Sequence, residues 1–366
     1  MREISVRPEI LDFAPYVPGL TIEQIQRQYG LTTVIKLASN ENPLGASPLV
    51  QKAIERNAAR AFRYPENHSP MLVKAIAANA GVPEDCVLVG NGSDEIIDML
   101  FRMKGIPGKS NVVCYEHSFA MYRMCAKLCG LEYREVPRGP ELELPLDAMA
   151  EAADENTAMV IVTSPDNPSG LAAGVEDLSV LAGVLPKDCL LVVDEAYIEF
   201  AWPPESYSPV QAFDKFENLV CLRTFSKAYG LAGLRLGYGI LPPKLAALLK
   251  NARIPFTVNL LAEEAGLAAL EDEVFFNETL SVVMRGRELF LTELPKLGCK
   301  VWPSQSNFVM FEPPKPAQSV FKALLEKGII VRPLASFGLG SCIRVNVGTD
   351  AENRIFLDTL REILNG

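Results

Sequence analysis

Short apolar runs alternate with helix-period patterns from about Val34 to Pro255. Val87-Leu88-Val89 predicts a strand, Gly90-Asn91-Gly92-Ser93 a turn, and Asp94 to Arg102 a helix. Further strands are predicted at Val112 to Tyr115, Met159 to Thr163, Leu190 to Val193, Val220 to Arg223 and Tyr238 to Leu241. Strands spaced by helical segments argue for an α/β fold with a mostly parallel sheet covered on both faces. After Pro255 the texture changes. Long helical patterns over Leu260 to Leu270 and Val274 to Leu294 precede strands at Phe308 to Phe311, Ile329 to Arg332 and Ile343 to Val347. That pattern predicts a smaller α+β unit. The organisation expected is an N-terminal arm (1–35), with a short helix at Ile22 to Tyr29, a large domain (36–255) and a small C-terminal domain (256–366).

The length of 366 residues supports two domains. A net charge of -10 disfavours generic nucleic-acid binding, so any phosphate must be met by local cations. No apolar stretch is long enough for a membrane span, and Met1-Arg2-Glu3-Ile4-Ser5 lacks the apolar core of a signal peptide. The eight cysteines form no C-x-x-C pair and read as reduced, buried thiols of a cytoplasmic protein. Only two histidines are present, His68 and His117, which argues against a histidine-rich metal site and leaves lysine as the natural proton carrier.

That makes Lys227 informative. It lies in Thr224-Phe225-Ser226-Lys227-Ala228-Tyr229-Gly230, a tight loop after an apolar strand, with Arg235 eight residues on. Such an amine can form a Schiff base with a cofactor aldehyde and then shuttle a proton. Asp194 ends the buried run Leu190-Leu191-Val192-Val193 and could hold a pyridinium nitrogen protonated, with Tyr197 in reach of the ring; it could equally cap a turn. Asn167, in Ser164-Pro165-Asp166-Asn167-Pro168-Ser169-Gly170, could donate to a ring oxygen or mark an ordinary Asn-Pro turn. Gly92, Ser93 and Asp94, at a strand-to-helix junction, could seat a phosphate or cap the helix. Thr224, Ser226 and Arg235 could complete a phosphate cup, with Arg235 alternatively a structural ion-pair partner. Phe119 could stack on a flat ring or sit in the core. Arg332 and Arg344 lie in or at the ends of apolar strands and want anions, from the protein or from a substrate.

These groups follow successive strand ends, and together they supply what one cofactor needs. The chain resembles the fold-type I pyridoxal-phosphate (PLP)-dependent aminotransferases, class II subgroup. The resemblance rests on Pro15-Tyr16-Val17-Pro18-Gly19, Leu37-Ala38-Ser39-Asn40-Glu41-Asn42-Pro43, Arg63-Tyr64-Pro65, Gly90 to Glu95, Asp194-Glu195-Ala196-Tyr197, the lysine run, Gly328 to Pro333 and Arg344 to Thr349. The Leu-Ala-Ser-Asn-Glu-Asn-Pro and Tyr-Val-Pro-Gly runs are similar to the histidinol-phosphate branch of that family. The resemblance implies a large domain with a seven-stranded, mostly parallel sheet and a small α+β domain. It implies Lys227 as the Schiff-base lysine, Asp194 at the pyridine nitrogen, Tyr197 and Asn167 at the ring hydroxyl, and Phe119 stacked on the ring. Gly92, Ser93, Asp94, Thr224, Ser226 and Arg235 would surround the phosphate, joined by Tyr64 from the other subunit of a homodimer. Arg344 would bind the glutamate carboxylate, and Arg332, Tyr16 and Asn40 would complete the substrate pocket. There are two departures: His117 stands where the aromatic loop often has proline, and the Asp166-Asn167 loop varies from Asn-Pro-Asn-Asn-Pro-Thr-Gly.

The implied reaction transfers an amino group between L-histidinol phosphate and 2-oxoglutarate, a small-molecule donor and acceptor, in histidine biosynthesis. An aromatic amino-acid aminotransferase would keep every cofactor residue and differ in its substrate pocket. A threonine-phosphate decarboxylase would use the same scaffold to release carbon dioxide. A PLP-sensing regulator would need a DNA-binding module, for which the arm is too short and not basic.

Overall fold

A computed structural model describes residues 6–7, 11, 13 and 20–366. The first described helix, α1 (Ile22–Tyr29), is closed by a capping box between Thr21 and Gln24 and ends at Gly30 in the left-handed conformation. Strand β1 (Ile35–Lys36) leads to helices α2 (Pro48–Asn57) and α3 (Pro70–Ala80). The large unit then runs β2 (Val87–Asn91), α4 (Ser93–Lys104), β3 (Asn111–Tyr115), α5 (Ala120–Leu128), β4 (Glu132–Val136), α6 (Leu146–Ala152), β5 (Thr157–Thr163), α7 (Val175–Val184), β6 (Leu190–Asp194), β7 (Leu219–Thr224) and β8 (Leu236–Ile240). Helices α8 (Pro243–Ala252), α9 (Leu260–Glu271) and α10 (Glu273–Lys296) lead to β9 (Lys300–Val301), β10 (Phe308–Glu312), α11 (Ala317–Glu326), β11 (Ile329–Ile330), β12 (Arg332–Pro333), β13 (Ile343–Asn346) and α12 (Asp350–Asn365).

Seven strands form one sheet in the order β2-β8-β7-β6-β5-β3-β4. All pairs are parallel except those of β8, which runs against both β7 and β2. β3, β5, β6 and β7 are buried at almost every position, as continuous apolar strands covered on both faces must be. The fold matches the expected seven-stranded α/β architecture. Sequence periodicity did not single out β4, whose exposed and half-buried positions Glu132 to Glu135 mark it as an edge strand.

The direction of β8 matters for function. The six other strands, β2 to β7, end at one edge of the sheet, where open α/β sheets bind ligands. Because β8 is reversed, its beginning lies at that same edge, with Leu236 opposite Asn91 and Gly237 opposite Thr224. Arg235, the residue before β8, is thereby delivered to the strand-end crevice.

The second unit has the sheet order β12-β13-β10-β9, with its core built from Leu37, Phe290, Val309, Phe311, Val345 and Phe356 among others. The run expected as one strand from Ile329 to Arg332 is divided. β11 pairs in parallel with β1, whereas β12 pairs with β13. Residues 35–37 are thus stitched to the C-terminal unit, and Leu37 lies in its core. Conversely Val258, Ala262, Ala265 and Ala269 belong to the large hydrophobic core, so α9 packs beside the main sheet although it follows Pro255. Among the described residues no helix is long and apolar enough to cross a membrane.

Candidate active site

The ends of β2, β3, β5, β6 and β7 carry Gly92, Phe119, Asn167, Asp194 and Lys227 to one edge of the sheet. Asp194 closes β6, where its Cα is paired with that of Thr163 on β5. Its carboxylate is buried. Oδ2 accepts a 2.6 Å hydrogen bond from the Tyr122 hydroxyl, and Oδ1 accepts one of 3.1 Å from the Ala196 N–H. Burial pushes the carboxyl up to about 6, against the lowering effect of those two bonds. No salt bridge reaches it among the described residues. A buried carboxylate with two neutral donors and no cation is a costly arrangement unless a cationic ligand completes it.

Lys227 follows β7 on a bend. Its Nζ donates to the Ser39 carbonyl at 3.3 Å and lies 5.7 Å from the centre of the Tyr197 ring. Tyr197 is buried, packs edge-on against Phe308, and its hydroxyl accepts from Asn40 Nδ2 at 3.0 Å. Asn40 has φ of 55°, a left-handed geometry that asparagine tolerates better than most residues. It is held there by Asn346 Oδ1, which accepts from its N–H, and by Asn307 Nδ2, which donates to its carbonyl. Phe119 precedes α5 and packs edge-on against Tyr122 with centroids 5.7 Å apart.

At the other end of the crevice, Gly92 caps α4 with φ of 74° and leaves its first turn without a side-chain cap. A Cβ on Gly92 would lie 2.6 Å from Arg235 Nη2. Gly237 is equally constrained: a Cβ there would stand 2.4 Å from the Ser93 nitrogen. Arg235 donates to Ser226 Oγ at 3.4 Å and pairs with Asp94 at 3.1 Å, so two expected phosphate groups meet each other here. Both side chains of that pair are nearly half exposed, 46% and 43%, and such pairs contribute only about 0–1 kcal/mol. The guanidinium can therefore turn to another anion at small cost. Thr224 Oγ1 accepts from the Ser226 N–H at 3.1 Å and closes the cup.

The C-terminal unit supplies two arginines. Arg344 is buried on β13 over the Phe308 ring, donates to Asn167 Oδ1, and donates to the Ala38 carbonyl at 2.9 Å. Arg332 is its antiparallel neighbour on β12, with Ser336 Oγ 3.5 Å from Nη2. Like charges directly opposite each other on a sheet repel, and an anion between them offsets that cost. Tyr64 is not in the crevice. It is 82% exposed, with its ring 4.9 Å from that of Phe256. Tyr16 lies outside the described residues.

The chain matches the family model "Aminotransferase class I and II" over residues 32–360. It is 53% identical to the histidinol-phosphate aminotransferase of Nitratidesulfovibrio vulgaris (strain Hildenborough), over 99% of this chain and 97% of that protein. It is 48% identical to the histidinol-phosphate aminotransferase of Oleidesulfovibrio alaskensis, over 99% and 96%. The chain belongs to the class I and II aminotransferases, in the histidinol-phosphate branch. The crystal structure of the Sinorhizobium meliloti histidinol-phosphate aminotransferase, in complex with pyridoxal-5'-phosphate, superposes with a TM-score of 0.89 at 27% identity, covering 100% of this chain and 99% of that one.

The cofactor of these aminotransferases is pyridoxal phosphate, and the residues present fit it. A ring nitrogen carrying a proton suits the cation-free Asp194 carboxylate. The open first turn of α4, with Gly92, Ser226 and Arg235 beside it, suits a phosphate. Three residues that hold the predicted groups in place are not among those the sequence points to. Tyr122 is one: it lies one helical turn after Phe119, and an i, i+3 pair shares a helix face. Asn307 and Asn346 are the others. Their signal was polarity next to apolar strands, since a buried amide needs hydrogen-bond partners.

Proposed function

We propose that this aminotransferase exchanges an amino group between L-histidinol phosphate and 2-oxoglutarate. The observation that carries the reaction class is the buried Asp194 carboxylate without a cationic partner, at the same sheet edge as Lys227. The substrate comes from the names of the relatives, and the facing Arg332 and Arg344 support an anionic one.

Pyridoxal phosphate, when bound, supplies the carbonyl that accepts the amino group and the ring that takes up the electron pair left at the substrate α-carbon. Lys227 anchors it, and its Nζ then takes the proton from the α-carbon and returns it after the exchange. The Ser39 carbonyl orients that amine. Asp194 keeps the ring nitrogen protonated, and Tyr122 holds the carboxylate ionised and pointed. Tyr197 and Asn167 address the ring hydroxyl, and Phe119 covers a ring face. The first turn of α4, from Gly92 through Asp94, holds the phosphate with Thr224, Ser226 and Arg235. Arg344 takes the α-carboxylate of glutamate. Arg332, with Asn40 and Tyr16, takes the distal carboxylate of glutamate or the phosphate of histidinol phosphate, and one anion pocket can serve both.

The proposed assembly is a homodimer with shared sites. Phe62 is 76% exposed, and with Tyr64, Met71, Ile254 and Phe256 it gives this region a large exposed apolar content suited to burial against a second copy. Tyr64 would then reach the partner's phosphate seat. A cytoplasmic location suits eight cysteines that form no disulfide. The division proposed is an arm, a large cofactor domain that includes α9, and a small domain that includes β1.

A half-reaction assay tests the reading. Mixing the PLP-loaded enzyme separately with histidinol phosphate, phenylalanine, tyrosine and glutamate should convert the cofactor to its amine form with histidinol phosphate and glutamate. Conversion by phenylalanine and not by histidinol phosphate would assign the chain to aromatic amino acids. Release of carbon dioxide from threonine phosphate would make it a decarboxylase. Lys227→Ala should abolish turnover and the visible absorbance of covalently held cofactor while the protein stays folded.

A further inference from the structure

Asp166 has no part in the chemistry above, yet the loop that presents Asn167 is built on it. Every residue from Thr163 to Gly170 is buried except Asn167, which is half-buried. The side chain of Asp166 is 0% exposed and pairs with Arg138, whose side chain is 1% exposed, at 2.9 Å. Its other oxygen accepts from the Tyr115 hydroxyl at 2.9 Å. Ser169 adds its hydroxyl at 2.5 Å and its N–H at 3.3 Å. The backbone of Asp166 closes the same loop, donating to the Leu171 carbonyl at 2.7 Å and accepting from the Gly170 N–H at 2.8 Å.

Arg138 is anchored as thoroughly. It donates to the Leu142 carbonyl, to the Glu143 carbonyl at 3.3 Å and to Ser169 Oγ at 3.4 Å, and it lies over the Tyr115 ring. The far end of the loop is tied to the C-terminal unit, where the Gln305 N–H donates to the Gly170 carbonyl at 2.7 Å. Asn167, next to Asp166, accepts from Arg344. A buried ion pair of this kind is a weak source of stability compared with well-packed apolar groups, but it defines one geometry.

We propose that the Arg138–Asp166 pair is a positioning device for catalysis, setting Asn167 and, through it, the Arg344 guanidinium. This rests on the roles proposed above for Asn167 and Arg344. Tyr115 couples the pair to the strands beneath, since its hydroxyl, whose one proton goes to Asp166, accepts from the Thr163 N–H at 3.2 Å. The loop is thus referenced to β3, β5 and the loop after β4 at once. A small displacement of its tip is paid at both the cofactor and the substrate carboxylate.

The test uses the PLP-loaded enzyme and the variants Asp166→Asn, Arg138→Met and the double variant. Asp166→Asn should lower kcat/KM for glutamate about 10- to 100-fold, mainly through KM, and lower it less for histidinol phosphate, which has no α-carboxylate for Arg344 and feels only the displaced Asn167. It should also weaken cofactor binding, measured by fluorescence titration of the stripped enzyme, about threefold to tenfold. The double variant should fall no further than the worse single one, because the two groups act as a unit. Tyr115→Phe removes one hydroxyl and no charge, and should lower kcat/KM about threefold to tenfold; it keeps the test available if the charge variants do not fold. Values of kcat/KM within about twofold of wild type in the folded, loaded variants would overturn the proposal, as would losses that simply multiply. Asn167→Ala and Arg344→Lys are the controls. If these lower turnover while Asp166→Asn does not, the positioning proposal alone fails; if they too are silent, the site reading fails with it.

Discussion

Removing the charge at Asp194 should change how the cofactor-free protein responds to pH. The carboxyl is buried, accepts bonds only from Tyr122 and Ala196 among the described residues, and is raised from 3.8 to about 6 by burial. Below about pH 4 the group is protonated in folded and unfolded chains alike, and it costs nothing. Between about 4 and 6 the unfolded chain loses its proton while the folded one keeps it. The folded state then binds more protons, so stability falls as pH rises. Above about 6 the whole cost is present: a shift of about two units at 1.36 kcal/mol each, or about 3 kcal/mol. The assay is urea unfolding of PLP-free wild type and Asp194→Asn at one protein concentration, from about pH 4.5 to 7.5. Glu199, raised to about 7 by burial, titrates in both proteins and drops out of the difference. The variant should gain on the wild type as pH rises, by about 3 kcal/mol at most. Saturating PLP should flatten the wild-type slope, because a cationic neighbour lowers a carboxyl's pKa again. A difference that stays constant across that range would show that Asp194 is hydrated or paired in the free protein, and the argument for a waiting cation site would fall.

Tyr122→Phe removes the 2.6 Å bond to the carboxylate, and such bonds to charged groups contribute about 1.5–3 kcal/mol, so the Asp194 midpoint in the same unfolding series should move up by about one to two units. Gly237→Ala forces a Cβ to within 2.4 Å of the Ser93 backbone nitrogen; it should destabilise the fold by about 1–3 kcal/mol and weaken PLP binding, and unchanged values for both in urea and fluorescence titrations would refute the close packing of β8 on α4. Tyr64→Ala removes a ring that is exposed on the single chain, so unfolding of the dissociated chain should shift by no more than about 0.5 kcal/mol while activity of the dimer falls. Mixing it with Lys227→Ala should restore activity above either alone through mixed dimers, and no recovery after subunit exchange would argue against shared sites.

Much of the site could be read along the chain because its residues follow the ends of strands that buried apolar runs announce. Leu190 to Val193 points to Asp194, and Val220 to Arg223 leads into the Lys227 loop. Reversal of β8 was not legible, since an apolar run of period two looks the same in either direction; yet that reversal carries Arg235 to Ser226 and Gly92. Which core a segment joins was not legible either. Leu37 and α9 pack against partners far away in sequence, and local periodicity says nothing of which core a face will meet.

The sequence by itself determined most element types and the succession of chemical groups along the chain, because these depend on local pattern and residue identity. Tertiary structure decided which groups touch. Packing left Asp194 in the interior with no cationic partner among the described residues, brought Asn346 and Asn307 around Asn40, and joined Arg138 to Asp166 beneath Asn167. Those are long-range contacts whose energies come from burial and desolvation, and neither exists until the chain has folded.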